Sequence, residues 1–259
     1  SFSTAVGGHS LKANTTGACN VGLGYVTLAA NTTASGNTAA GYAALLSNTT
    51  GACNTGTGYR ALMTNTTGCR NVATGAFALC GNTTGLYNTG VGFQSLHANT
   101  TGCFNTAVGM YALNDHTTGK FNTGIGYGSL QSSTGAGCQN TAIGYKAGAD
   151  GTAVYYNTLI GFCAGKGQTG HANVAVGNKA LENATSSNLV AVGGSALLSN
   201  TSGACNIAVG AHALRANTTG AGNTSSGSYS LYTNTTGCNN TSMGYAALSA
   251  NTTASYNTA

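Results

Sequence analysis

The motif with the clearest chemical meaning in this sequence is Asn-x-Thr/Ser, the acceptor of N-linked glycans. It recurs at one position of a repeat that reads Asn-Thr-Thr-Gly or a close variant. We expect sugars there, because such a turn is a natural exposed corner and the chain has little charge to hold water. The alternative is a structural turn in which Asn and Thr bond the backbone, since repetition copies one accidental match many times. The glycosylation candidates are Asn14, Asn31, Asn48, Asn65, Asn82, Asn99, Asn183, Asn200, Asn217, Asn234 and Asn251.

Nine cysteines form the second set of reactive side chains. An odd number cannot pair fully within one chain. Seven lie one or two residues before a repeated Asn, where other repeats carry an aromatic residue, which indicates a packing position. Several pairs would be two coils apart, about 9.6 Å, which is too far for a disulfide. The sequence allows one bond between adjacent coils, Cys53 to Cys69, and predicts free thiols or bonds between chains for most others. No spacing typical of zinc ligands occurs.

Catalysis is not expected. An active site needs placed acids, bases or nucleophiles, and the chain has three acidic residues and five scattered histidines. Asp115 and His116 are the one adjacent acid–histidine pair, and neighbours in sequence often point apart. Calcium-binding repeats would need an Asp in each unit. We therefore predict a protein that is not an enzyme and that has no cofactor and no metal.

One repeat of about 17 residues runs through the whole chain. It reads Asn-Thr-small-apolar-Gly-aromatic-x-Ala-Leu-x-x-Asn-Thr-Thr-Gly-x-x, and residues 88–104 show it plainly as NTGVGFQSLHANTTGCF. We call its first Asn the phase Asn. Spacing is irregular around 122–189. This pattern predicts a single elongated repeat domain over residues 1–259, with both ends cut in the middle of a repeat.

The repeat predicts an all-β or mostly β fold, a parallel β-solenoid of about 15 coils. The three residues after the phase Asn favour a strand, and the Gly that follows in every repeat favours a corner. The next six residues are good helix formers, so a short helical turn, as in leucine-rich repeats, is the alternative to a second strand. In either case Leu28, Leu45, Leu62, Leu79, Leu96 and Leu113 would form an interior column, and the coils would make a rod of roughly 70 Å.

The phase Asn predicts an internal amide ladder, in which each side chain bonds the coils above and below. The interpretation of this column is structural. Its members are Asn20, Asn37, Asn54, Asn71, Asn88, Asn105, Asn122, Asn140, Asn157, Asn173, Asn206, Asn223 and Asn240.

Charge is sparse, with eight basic and three acidic residues and no basic run, so nucleic acid is not an expected partner. No apolar stretch approaches the ~20 residues that a membrane helix needs, and no membrane span is expected.

The segments NTAIGYKAGA (140–149), NVAVGNKAL (173–181) and LVAVGGSAL (189–197) resemble the head repeats of trimeric autotransporter adhesins. The unit NTAVGMYALNDHTTG (105–119) also resembles repeats of phage and virus tail-fibre-like proteins. The first resemblance implies a left-handed parallel β-roll and a trimer. Both imply an elongated protein that binds a host surface.

Three functions follow as hypotheses. The leading one is a glycosylated structural protein, extracellular or on a cell or virion surface, whose copies join head to tail into a filament. The alternative is an adhesin or a tail-fibre shaft. The third is an ice-binding solenoid, in which the first Thr of each Asn-Thr-Thr-Gly turn forms an outward column. The members of that column are Thr15, Thr32, Thr49, Thr66 and Thr83 with their successors.

Overall fold

The structure is a computed structural model, and it describes residues 2–132, 136–152 and 154–259. These residues form fifteen strands of three residues each and contain no helix. The chain divides into two compact units, Ser1–Gly137 and Cys138–Ala259. The strands of the first unit are β1 (Thr4–Val6), β2 (Val21–Leu23), β3 (Thr38–Ala40), β4 (Thr55–Thr57), β5 (Val72–Thr74), β6 (Thr89–Val91), β7 (Thr106–Val108) and β8 (Thr123–Ile125). Those of the second are β9 (Thr141–Ile143), β10 (Thr158–Ile160), β11 (Val174–Val176), β12 (Val190–Val192), β13 (Ile207–Val209), β14 (Thr224–Ser226) and β15 (Thr241–Met243).

Within each unit every strand pairs in parallel with the strand of the next repeat. The register shifts by one repeat each time, as in Thr89 opposite Thr106 and Val91 opposite Val108. In most strands the central residue is buried and the two outer residues face out, because successive side chains of a strand point to opposite sides. Each unit is therefore a parallel β-solenoid with one strand per repeat, and this prediction is confirmed.

A glycine corner follows each strand. At Gly92 the backbone has φ of 130°, in a region that side-chain-bearing residues rarely adopt. A Cβ on Gly92 would also lie 2.6 Å from the carbonyl oxygen of Gly109, the corner of the next coil. Both the conformation and the close approach of the coils therefore require glycine.

The arm after the corner consists of turns, so the leucine-rich-repeat-like alternative is wrong. Residues six and eight places after the phase Asn have positive φ, 58° at Phe77 and 50° at Leu79. A right-handed helical turn needs consecutive residues with negative φ, which these positions interrupt. The arm bonds to its neighbours instead: Phe77 N donates to Tyr59 O of the preceding coil, and Leu79 N donates to Ser95 O of the following coil.

Leucine side chains and small residues fill the interior. The predicted leucine column is fully buried from Leu28 to Leu113 in the first unit, and Leu181, Leu197 and Leu214 continue the same position in the second. Small buried residues, such as Ala107 and Ala112, line the rest of the cross-section. This packing leaves most of the aromatic residues outside.

Aromatic side chains stack along the surface. Tyr25, Tyr42 and Tyr59 lie one per coil with ring centroids 5.8 and 5.3 Å apart and nearly parallel planes. A second stack contains Tyr87 and Phe104, whose centroids are 4.9 Å apart. Because each ring covers the face of the next, the column offers ring edges to solvent. None of the described residues belongs to a helix that could span a bilayer.

Candidate functional site: the axial ladders

The phase Asn column forms a ladder along the coils, which we call the phase ladder. Asn71 shows the pattern: its backbone N donates to Asn54 Oδ1 (2.9 Å), and its own Oδ1 accepts from the backbone N of Asn88 (2.9 Å). Its Nδ2 donates to Gly85 O of the next coil (2.8 Å). Asn71 is fully buried. The side-chain amide thus replaces a strand-type backbone bond at a position where the chain turns.

A second ladder runs through the Asn of the Asn-Thr-Thr-Gly turns, and we call it the turn ladder. Asn65 Nδ2 donates both to Asn48 Oδ1 (2.8 Å) and to Gly68 O (2.9 Å), while Asn65 Oδ1 accepts from Asn82 Nδ2 (2.7 Å). The same arrangement continues from Asn14 to Asn99 and from Asn200 to Asn251. Both donor hydrogens of each interior amide are used, so the turn ladder is saturated.

In the coils that carry both asparagines, the two ladders meet on one backbone carbonyl. Gly68 O accepts from Asn54 Nδ2 of the phase ladder (2.8 Å) and from Asn65 Nδ2 of the turn ladder (2.9 Å). A Cβ on Gly68 would lie 2.4 Å from Asn65 Oδ1 and 2.5 Å from Gly85 O. The Gly of the turn therefore leaves room for the amides that converge on it.

The Asn-Thr-Thr-Gly turn also forms a nest, in which several donors converge on one carbonyl oxygen of the next coil. Thr49 N (3.0 Å), Thr50 N (3.3 Å) and Gly51 N (3.3 Å) all donate to Thr66 O, and Thr49 Oγ1 adds a fourth bond (3.1 Å). Successive N–H groups that converge in this way bind anions or carbonyl oxygens. Here the occupant is the neighbouring coil, so the turn is an axial contact.

The expectation that the turn asparagines lie at an exposed corner is wrong. Eight of the eleven candidates have no exposed surface: Asn31, Asn48, Asn65, Asn82, Asn99, Asn200, Asn217 and Asn234. A glycan on Nδ2 of any of these would displace at least one ladder bond and would have no path to solvent. The physical reason is that the side chain points inward to the Gly carbonyl, while the two Thr residues face outward. Glycosylation at these eight positions is incompatible with the fold.

Asn183 differs from the other candidates. It is exposed, with φ of 66°, because the irregular spacing near it moves it off the turn ladder, and the buried Ala184 takes the ladder position. Asn14 and Asn251 are half-buried in the outermost turns of the described chain. Asn183 is thus the candidate whose amide the fold leaves accessible to a glycan.

The threonine column on which the ice-binding hypothesis rested takes part in the axial contacts. The hydroxyls of Thr15, Thr49 and Thr83 each donate to a threonine carbonyl of the next coil, at 3.0 to 3.1 Å. Thr49 and Thr83 are half-buried as well. The regular spacing of these residues therefore has a structural cause.

All nine cysteines are free, so the disulfide that the sequence allows between Cys53 and Cys69 is not formed. Cys69 lies two residues before its phase Asn, and its Sγ accepts from Ala52 N (3.4 Å). Cys53 lies one residue before its own phase Asn, so the two are out of step by one residue. Burial raises the pKa of the Cys80 and Cys163 thiols and keeps both protonated at neutral pH. No three potential metal-binding side chains meet within the described residues.

The turn ladder is interrupted at His116, which is buried at the next position after Asn99. Its Nε2 lies 2.9 Å from Gly137 O and 2.9 Å from Asn122 Nδ2. Asn99 Oδ1 is buried and has no hydrogen-bond partner among the described residues. At the preceding steps of the ladder this oxygen accepts from the amide of the following coil. The interruption thus leaves one acceptor unsatisfied.

Replacing His116 with Asn is expected to stabilise the protein. The new Nδ2 would reach Asn99 Oδ1 as the other ladder amides do, and satisfying a buried acceptor contributes about 1 kcal/mol to the free energy of unfolding. Urea denaturation followed by circular dichroism measures the change. The control is His97→Asn, because His97 is half-buried outside both ladders. Equal midpoints for wild type and His116→Asn would contradict the role given to Asn99.

The sequence predicted the phase ladder. For the turn, the alternative of a structural turn in which Asn and Thr bond the backbone agrees with the contacts seen, whereas the stacking of the turn asparagines on one another was not predicted. The motif does not separate the two interpretations, since Asn followed by Gly three residues later is also typical of an exposed turn. The turns of Asn31 and Asn251 moreover carry Ala34 and Ala254 in place of the Gly. No known protein-family model matches this chain, and no curated protein matches it.

Proposed function

We propose that this chain is a structural, non-catalytic protein whose copies stack end to end into a filament. The observation that carries the proposal is that the same set of hydrogen bonds joins one regular coil to the next along the chain. Each coil presents donors to the next through its nest and acceptors to the previous one through its turn carbonyl. Coils with a regular Asn-Thr-Thr-Gly turn are therefore complementary to one another, including those of a second copy. A contact of this kind does not close on itself and generates an open fibre.

The bonds between coils are strong enough in sum to support such stacking. Between the coils of Asn65 and Asn82 there are one turn-ladder bond, four bonds in the nest at Thr83 O and several backbone bonds. Because one carbonyl oxygen has two lone pairs, the four contacts of a nest count as about two full hydrogen bonds. Each full bond contributes roughly 0.5–1.5 kcal/mol to the free energy of association. An exposed strand edge favours pairing with another chain for the same reason.

The resemblance to tail-fibre and adhesin repeats also supports an elongated structural role. It favours the alternative in which the solenoid is a shaft that holds a separate host-binding tip. An extracellular or virion-surface location and the absence of nucleic acid partners stay predictions. The glycan prediction is now confined to Asn183 and to the half-buried Asn14 and Asn251, and at Asn183 a sugar would not interfere with either ladder.

The proposal is tested by a change in the first turn of the ladder. Asn14 Nδ2 donates to Gly17 O, and Asn14 Oδ1 accepts from Asn31 Nδ2 (2.8 Å). In the single chain, residues 257–259 bond to β15, with Thr241 N donating to Asn257 O and Met243 N to Ala259 O. In a stack, the first coil of another copy would take the place of these three residues, and the second hydrogen of its Asn14 Nδ2 would donate to Asn251 Oδ1 of the preceding copy. Asn14→Asp keeps the acceptor for Asn31 and places a carboxylate oxygen against that amide oxygen. We expect filaments in electron micrographs of the wild type and discrete particles for Asn14→Asp.

The matched control is Thr16→Asp, which adds the same charge two residues away on an exposed side chain. This variant should form filaments like the wild type. Sedimentation gives the mass of each sample, and circular dichroism checks that all three proteins fold alike. A wild type that sediments at 25.3 kDa at every concentration would overturn the proposal.

A further inference from the structure

Three cysteine side chains on the outside of the coils differ from the rest. Cys19, Cys53 and Cys205 are exposed, and their Sγ atoms make no hydrogen bond within the described residues. Each directly precedes a phase Asn. Thiols one residue earlier in the repeat bond to the backbone, as Cys69 does with Ala52 N. The three exposed thiols can therefore react without breaking a contact of the fold.

Cys19 and Cys53 belong to one column along the first unit. They lie two coils apart, about 9.6 Å, and Gly36 holds the same position on the coil between them. Gly36 is exposed, and a Cβ there would lie 3.5 Å from Cys53 Sγ. The residues one place earlier are all small: Ala18, Ser35 and Ala52. Nothing bulky therefore stands between or beside the two thiols.

We propose that Cys19 and Cys53 form two disulfides with a second copy of this chain. Within one chain they are too far apart to bond, because the Cα atoms of a disulfide lie within about 7 Å of each other. A two-fold axis at Gly36 places Cys19 opposite Cys53 of the other copy, and Cys53 opposite its Cys19. The two thiol spacings match because they are the same spacing. This lateral link is separate from the end-to-end stacking and does not depend on it.

The column itself selects the antiparallel orientation. In a parallel contact each residue would face its own copy, so Arg70 would meet Arg70 and the exposed ring of Tyr87 would meet Tyr87. Like charges would then be opposed, and two rings do not fit between backbones that a disulfide holds together. The antiparallel contact spans the five coils from Phe2 to Arg70 and leaves Tyr87 outside. There Gly36 faces Gly36, and Arg70 faces Phe2.

The two bonds can form by thiol–disulfide exchange with a small-molecule disulfide such as oxidised glutathione. A cysteine thiolate attacks it, which gives a mixed disulfide and releases one glutathione thiol, and the facing cysteine then displaces the other. Four cysteine thiols thus become two disulfides while two molecules of oxidised glutathione become four thiols. After the first bridge the second closes within the dimer, at an effective concentration in the millimolar range. Two bridges therefore resist reduction better than one.

Non-reducing denaturing electrophoresis tests the link, with micromolar protein equilibrated in reduced and oxidised glutathione. We expect a band at twice 25.3 kDa for the wild type. Cys19→Ser and Cys53→Ser should each weaken this band by at least about tenfold, although each variant keeps an exposed thiol. Chymotrypsin cuts after Tyr25 and Tyr42 and so separates the two cysteines. Mass spectrometry of the digested dimer should show the Cys19 peptide joined to the Cys53 peptide.

Two further variants separate the two-point contact from simple exposure. Cys205→Ser is the control, because Cys205 is equally exposed but has Ala172 and Asn239, and no thiol, two coils away on either side. This variant should keep the dimer band. Gly36→Arg keeps both thiols and places a charge on the two-fold axis. The fold accepts Arg at this position, since Arg70 has φ of 57° where Gly36 has 72°. Gly36→Arg should therefore fold by circular dichroism and lose the dimer.

Four results would each overturn the proposal. They are a wild type without the dimer band, a band that survives in Cys19→Ser or in a folded Gly36→Arg, a band lost in Cys205→Ser, and a dimer whose peptides join Cys19 to Cys19. Denaturing electrophoresis takes stacked copies apart and retains only covalent links. None of these results therefore bears on filaments, which test the end-to-end proposal separately.

Discussion

Replacing Gly92 with Ala is expected to lower the free energy of unfolding by about 4 kcal/mol. A residue with a side chain at φ near 130° is strained by about 1–3 kcal/mol. The added Cβ would also lie 2.6 Å from Gly109 O and 2.7 Å from Gly109 C, which are backbone atoms and cannot rotate away. Overpacking of this kind costs a further 1–3 kcal/mol. Urea denaturation monitored by circular dichroism gives the difference.

Gly194→Ala is the matched control for this prediction. Gly194 directly follows the corner Gly193, its φ is outside the positive range, and an added Cβ meets nothing. The same chemical change should therefore alter stability by no more than about 0.5 kcal/mol. If the two alanine variants had the same denaturation midpoint, the close approach of coils at the corner would not be what requires glycine.

The solenoid architecture could be predicted from the sequence because the same residue types recur at the same positions of every repeat. Three features recur at fixed positions of the repeat: the strand after the phase Asn, the corner at Gly92 and its equivalents, and the leucine column. Because each pattern recurs so many times, it reflects a structural constraint and not a chance match. The arm could not be predicted in the same way. A segment such as NKALEN (178–183) contains good helix formers, but Lys179 and Leu181 have φ of 54° and 58°. Hydrogen bonds to the coils on either side decide its conformation, and propensity does not describe them.

Of the two ladders that make up the candidate site, the phase ladder could be predicted from the sequence and the turn ladder could not. The phase Asn matches a glycan acceptor only at Asn223 and Asn240, whereas nearly every turn Asn matches both a glycan acceptor and a buried ladder. The choice between a glycan acceptor and a buried ladder depends on whether the Asn side chain points to solvent or into the coil. The three-residue motif does not determine which way it points. In the structure that direction follows from the shared carbonyl, as at Gly68 O, and from the nest of donors that fixes the turn.

The same three-residue motif can therefore accept a glycan in an exposed turn but cannot do so in a turn that is buried in the stack of coils. Glycans are added to Asn before or during folding in most secretory pathways, and a modified turn Asn could not enter the ladder. A solenoid with eight buried acceptor motifs therefore requires that these stay unmodified. The turn ladder is therefore sensitive to the change of a single atom group in one of its buried amides.

Replacing Asn65 with Asp is expected to show that sensitivity, with a loss of about 4 kcal/mol of stability at neutral pH. The substitution exchanges Nδ2, a donor to Asn48 Oδ1 and Gly68 O, for an oxygen that faces both acceptors. It also buries a charge at a position with no exposed surface and no cation beside it. Leaving such a charge uncompensated costs about 3–5 kcal/mol. Urea denaturation at neutral pH measures the loss.

The pH dependence of the Asn65→Asp variant distinguishes the cost of the buried charge from the cost of the missing hydrogen-bond donor. Burial favours the protonated carboxyl, so its pKa in the folded state should lie above the ordinary value of about 4. The stability of the variant relative to wild type should therefore be highest below pH ~4 and should fall as the pH rises through that value. Thr67→Asp, with the same charge on an exposed residue of the same turn, should show neither the loss nor this dependence. A loss for Asn65→Asp that is equal at all pH values would mean that the missing donor, and not the buried charge, dominates the ladder.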